Sequence, residues 1–160
     1  MVEDASPFGA VASGDSPAED RPGSRRPDLR AGAKALIATG DGVLLVKERR
    51  DDGSTFWTLP GGGLEGDESP AECLRRELGE ELQCRCVPGK PVAACAYRHT
   101  SRPGTVSVYT VVAGELVTEP TPNPREGVVD CAWGDPGDLP PGTLRPFRRL
   151  LDRLDVDGPG

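Results

Sequence analysis

Residues 62–84 read GGLEGDESPAECLRRELGEELQC, and this stretch decides the fold. A glycine loop runs into a short helix. The helix start is marked by Ser69-Pro70-Ala71-Glu72. Serine is a good N-cap, proline suits the first helical position, and the glutamate can reach back to the cap. Leu74, Leu78 and Leu82 then recur at helical spacing and, with Ala71, form the stripe to be buried. Glu77, Glu80 and Glu81 lie off that stripe, close together on one face.

A charged helical face is usually a solvated one, but these acids are poorly placed for that. Like charges at this spacing destabilise a helix by a few tenths of a kcal/mol per pair. In the C-terminal half of a helix the macrodipole disfavours each anion by roughly 0.3–1 kcal/mol more. A bound Mg2+ or Mn2+ reverses both penalties, because hard cations prefer carboxylate and carbonyl oxygen. The preceding run Gly61-Gly62-Gly63 offers bare backbone that can approach a metal or a phosphate closely. The expectation is a divalent-metal site made by this loop and this helix.

Outward from the helix, strands are expected over residues 33–39 and 43–48, joined by the turn Thr39-Gly40-Asp41-Gly42. Further strands are expected over residues 55–59, 91–99, 106–113 and 128–133. Leu144, Phe147, Leu150, Leu151 and Leu154 recur at helical spacing and predict a closing amphipathic helix. Elements interleaved in this way give an α/β fold, a mixed β-sheet between helices. Residues 1–28 and 156–160 carry little to bury and are expected to be a disordered arm and a flexible tail around one domain over residues 29–155.

The composition excludes several function classes. A net charge of −7 and a pI near 4.8 argue against a nucleic-acid-binding surface. Five cysteines, at 73, 84, 86, 95 and 131, form no CxxC pair, so neither a disulfide framework nor a zinc knuckle is expected. The apolar run of a membrane span is absent, as is the apolar core of a signal peptide, so a cytoplasmic protein is expected. His99 is the one histidine, which leaves no convincing His-based triad or metal site.

The segment resembles the Nudix box, G-x5-E-x7-R-E-U-x-E-E-x-G-U with U aliphatic. Gly62, Glu68, Arg76, Glu77, Leu78, Glu80 and Glu81 fall in register, and Trp57-Thr58-Leu59-Pro60-Gly61-Gly62 resembles the family's lead-in. Cys84 replaces an aliphatic residue, and Gln83 replaces the glycine that ends the helix in a left-handed conformation. If the same backbone is kept, Gln83 costs on the order of 1 kcal/mol.

The resemblance implies a Nudix-type α/β/α sandwich and a pyrophosphohydrolase acting on a nucleoside diphosphate linked to another group. It implies Mg2+ or Mn2+ as cofactor, held by the Gly61 carbonyl with Glu77, Glu80 and Glu81, while Glu68 and Arg76 hold loop and helix in position. The general base differs among family members. Glu77 and Glu81 are candidates, as is Glu126 in the loop before the last strand, with Glu119 after it. Lys47, Arg49, Arg50, Arg98 and Gly62 are candidates for contact with substrate. The substrate itself stays open between a nucleoside triphosphate, oxidised or not, and a nucleotide sugar. A monomer or homodimer is expected, and a non-catalytic nucleotide-sensing module is the alternative function.

Overall fold

The described residues, 26–99 and 102–154 of a computed structural model, follow the order β1 (Asp28–Leu36), β2 (Ala38–Thr39), β3 (Gly42–Arg49), β4 (Thr55–Thr58), β5 (Gly61–Gly63), α1 (Pro70–Leu82), β6 (Cys86–Arg98), β7 (Thr105–Leu116), β8 (Val128–Gly134) and α2 (Arg145–Arg153). A one-turn 3-10 helix, Pro124–Glu126, precedes β8. The tail expected over residues 156–160 lies outside the described residues, as does the expected arm up to residue 25.

The strands form two sheets. The first has the order β5-β1-β7-β6 and is mixed: β1 runs parallel to β7, from Asp28↔Thr105 to Leu36↔Ala113, and antiparallel to β5. In the second, β3 lies between β4 and β8, and β2 pairs with β3 across the expected glycine turn.

Helix α1 buries Leu74, Leu78 and Leu82 against Ala33, Ala35, Val112 and Val128. Helix α2 buries Phe147, Leu150 and Leu151 with Cys95, Tyr97 and Val111 in a second cluster. The layered arrangement is the α/β fold the periodicity predicts. Among the described residues no helix is long and apolar enough to cross a membrane.

Strand β1 begins earlier than its apolar pattern suggests. Residues 28–31 are exposed, and only Gly32–Leu36 are buried. Their strand conformation comes from the ladder to β7, which needs backbone groups and no apolar side chains. Strand β6 likewise begins at Cys86 and passes through Pro88 and Pro91, with register shifts around both. It is an edge strand, where a missing N–H is tolerated.

The end of α1 answers the anomaly at Gln83. Its backbone is left-handed, with φ 50° and ψ 40°. Its side-chain amide donates to the carbonyls of Thr121 and Pro122, both at 3.3 Å. The carbonyls of Glu80, Glu81 and Leu82, orphaned by the helix end, accept from Asn123 Nδ2, Asn123 N–H and Thr121 N–H. The loop before β8 therefore caps the helix that carries the acids. Gln83→Ala keeps the left-handed strain and loses both bonds. It should destabilise the fold by about 1 kcal/mol, whereas Gln83→Gly, which relieves the strain, should be close to neutral in a urea titration.

Candidate metal centre

The N-terminus of α1 is fixed by local chemistry. Ser69 Oγ accepts from Glu72 N–H at 3.1 Å, and Glu72 Oε1 accepts from Ser69 N–H at 2.8 Å. This reciprocal cap sets where the helix starts, and therefore which residues face the glycine strand β5.

Arg76 ties that face together. Its guanidinium takes Glu68 as a two-pronged partner, Nε to Oε2 at 2.7 Å and Nη2 to Oε1 at 2.9 Å. Nη2 also donates to the Gly63 carbonyl at 3.0 Å. The remaining prong, Nη1, donates to Glu77 at 2.9 Å and Glu80 at 3.1 Å. One planar cation thus joins the loop before α1, strand β5 and two of the three helix acids. Hydrogen bonds from Arg76 and from the Glu65 N–H hold the Glu68 carboxyl down at about 2. The same contacts with Glu68, and with Glu77, push the Arg76 pKa further up.

The three acids differ in environment. Glu81 is buried, 7% exposed, and its Oε1 accepts from the Gly61 N–H at 2.9 Å. Burial first, and then the nearby Glu48 and Glu77 charges, lift its pKa above the ordinary carboxylate range against the pull of Lys34 and the Gly61 N–H. Glu77 is half-buried, and burial raises its pKa despite Arg76. Glu80 is exposed. Among the described residues no three His, Cys, Asp or Glu side chains already converge as an ion cage. Arg76 holds Glu77 and Glu80, and Gly61 holds Glu81.

The donor set nonetheless fits a hard divalent cation. It consists of carboxylate oxygens, one of them buried at an energetic penalty, beside the Gly61 carbonyl. Among the described residues, the side-chain donor to that carbonyl is Lys34 Nζ, at a long 3.4 Å. Glycine at 62 is required by Glu77: a Cβ there would stand 2.7 Å from its carboxylate. Gly62→Ala should therefore displace Glu77 and lower activity by about 10–100-fold. Only a flexible side-chain end must move, so the melting temperature should change little. Equal losses of activity and stability would contradict this.

Two charged residues of the site escaped the sequence reading. Lys34 lies on β1 opposite Gly61, 5% exposed, with Glu81, Glu77 and Glu48 in its electrostatic surroundings. Burial alone would lower its pKa, but Tyr109 and these three acids together raise it. Glu48 lies on β3 and is half-buried. The signal was present: a lysine flanked by buried alanines in an apolar strand, and the alternation Lys47, Glu48, Arg49, Arg50. Lys34 and Glu48 line a cavity of about 140 Å3, with Arg50, Thr58 and the rings of Tyr97 and Tyr109.

The candidate substrate residues are placed differently. Lys47 Nζ lies 5.8 Å from the Trp57 ring centre, and Arg49 and Arg98 are exposed. None of the three lines the cavity, because strand alternation turns Glu48 and Arg50 toward it instead. Glu126 is exposed on the one-turn helix docked against α1. Glu119 is exposed and lines a separate hollow with Trp133. Cys73 is buried, its thiol near the Gly62 and Gly63 carbonyls, and burial pushes its pKa up to about 11.

Residues 28–154 match the family model described as NUDIX domain. A "MutT-like protein" of Streptomyces ambofaciens is 32% identical over 125 residues, covering 78% of this chain and 76% of that protein. An "RNA pyrophosphohydrolase" of Acidiphilium cryptum is 41% identical over 61 residues, 36% of this chain and 37% of that one. The crystal structure of a MutT NUDIX hydrolase from Burkholderia pseudomallei superposes with a TM-score of 0.70 at 23% identity, covering 79% of this chain and 98% of that one, which is a likeness of fold.

Proposed function

This chain belongs to the Nudix hydrolase family, and from that premise we propose that it hydrolyses the pyrophosphate bond of a nucleoside diphosphate linked to another group, with Mg2+ or Mn2+ as cofactor. The observation that carries this reading is Glu81. A carboxylate held 7% exposed among other acids, on the N–H of Gly61, is unfavourable unless a cation joins it.

The Gly61 carbonyl, Glu77, Glu80 and Glu81 would hold the ion. The chemistry such an ion supplies is Lewis-acid neutralisation of pyrophosphate charge and acidification of water. Arg76 and Glu68 position these ligands, since Arg76 spans the loop, β5 and the helix face. A general base must accept the proton of the attacking water. Burial raises Glu81 and Glu77 toward the working range of a base, with Glu81 Oε1 engaged by the Gly61 N–H and its second oxygen taking no hydrogen bond from the described residues. Glu126 would act as base only by swinging in from its exposed helix.

The test is chromatography of the nucleotide products formed from a panel of nucleoside triphosphates and nucleotide sugars. At least one should turn over with Mg2+ or Mn2+ and none with the metal removed by chelator. A panel with no metal-dependent turnover, in protein that also binds no Mn2+, would overturn the proposal.

A further inference from the structure

The cavity beside the acids holds two donors that the described residues leave largely unused. Lys34 is 5% exposed and has three N–H donors. Among the described residues it makes one hydrogen bond, the long one to Gly61, and no carboxylate lies within ion-pair distance. Its ammonium lies 5.0 Å from the centre of the Tyr109 ring and 5.8 Å from that of Phe147. Thr58 is 1% exposed, and its hydroxyl has no hydrogen-bond partner among the described residues. Both residues line the same cavity of about 140 Å3, small enough that one bound ring meets all its walls. A buried donor left without an acceptor is costly, so both hydroxyl and ammonium point to a ligand.

The walls state what kind. Phe56, Tyr97, Tyr109 and Phe147 offer aromatic surface, which suits a planar ring. Glu48 lines the cavity beside two cations, Lys34 and Arg50, so the wall charges leave the choice of occupant to the four rings and the two donors. The occupant is therefore a neutral heterocycle, its phosphates lying outside, toward α1.

We propose that Lys34 and Thr58 are specificity-determining residues that select a nucleobase carrying a carbonyl oxygen where cytosine and adenine carry an amino group, as uracil, thymine and guanine do. This rests on the hydrolase reading above, which supplies the nucleotide. A carbonyl oxygen has two lone pairs, so one oxygen takes both the Lys34 N–H and the Thr58 O–H. The ring N–H next to such a carbonyl is a donor, and Glu48 accepts only. An amino group in the same place sets N–H against the Lys34 ammonium and leaves both buried donors without an acceptor. A ring nitrogen offers one lone pair, enough for only one of them.

The experiment is titration calorimetry of the full, metal-free chain with the 5′-monophosphates of uridine, thymidine, guanosine, cytidine and adenosine. At least one carbonyl base should bind about tenfold more tightly than cytidine and adenosine monophosphate. Lys34→Met, which keeps the packing of the stem, should shrink that ratio to within about threefold. Thr58→Val should weaken the carbonyl base alone, and it serves as the readout if circular dichroism shows Lys34→Met unfolded. Equal binding of all five, no binding, a preference for the amino bases, or an unchanged ratio in the folded variants would overturn the assignment. Selective binding without metal-dependent hydrolysis would overturn the hydrolase reading and leave this one standing. Hydrolysis without base preference would do the reverse.

Discussion

Glu81→Gln is expected to lower metal-dependent turnover by about 10²–10³-fold while the protein still folds. Glutamine keeps the shape of the side chain and an oxygen for the Gly61 N–H, now at 2.9 Å from Glu81 Oε1. It removes the charge that a divalent ion requires. The sign of the stability change follows from the raised pKa. The folded protein holds the Glu81 proton above the unfolded value of 4.5. Between that value and the higher folded one, the native state binds more protons than the unfolded state, so metal-free stability falls as pH rises. Above this window the metal-free variant should melt higher than metal-free wild type. Added Mn2+ should stabilise wild type by mass action and leave the variant unmoved. Calorimetry with and without Mn2+, beside chromatography of the nucleotide products, reads both effects. A variant with wild-type activity, or with an undiminished Mn2+ shift, would remove Glu81 from the site.

Leu78→Ala should cost about 2–5 kcal/mol, the range for a fully buried leucine. Leu78 is 0% exposed at the centre of the α1 stripe, against a floor that includes Ala33 and Ala35. Small residues opposite let the helix sit close to the sheet and leave no long side chain to fill the void. Total stability of a domain is about 5–15 kcal/mol, so the loss is a large fraction of it. Glu77 and Glu81 flank Leu78 on the same turns, so the surviving native molecules should also bind metal less tightly. Urea denaturation measures the first effect. A loss below about 1 kcal/mol would mean that the helix does not depend on this contact.

Much of α1 could be read from the chain alone because its causes are local. The serine cap and its glutamate lie three residues apart, the leucine stripe repeats at the helical period, and the acids share a face by the same geometry. The closing helix was legible for the same reason, with Phe147, Leu150 and Leu151 all buried as its spacing predicts. The start of β1 was not, because Asp28–Gly32 owe their conformation to a partner strand more than seventy positions away.

The left-handed end of α1 was legible as an anomaly but not as a solution. Gln83 and the orphan carbonyls are satisfied by Thr121, Pro122 and Asn123, and no local pattern announces that docking. The same holds for the charged wall of the cavity. Lys47, Arg49 and Arg50 looked like the cations that would meet substrate, yet alternation turns only Arg50 inward, with Glu48, and β1 brings Lys34 to the same place.

By itself, the sequence determined the capped helix, its acidic face and the glycine strand in front of it, since hydrogen bonds and charge repulsion over a few residues suffice to specify them. Only tertiary structure decided that Glu81 would be buried while Glu80 stayed exposed, and that Lys34, Glu48 and Thr58 would share one cavity. Burial and desolvation depend on which distant strands close over a side chain, and that is a property of the packed sheets, not of neighbours along the chain.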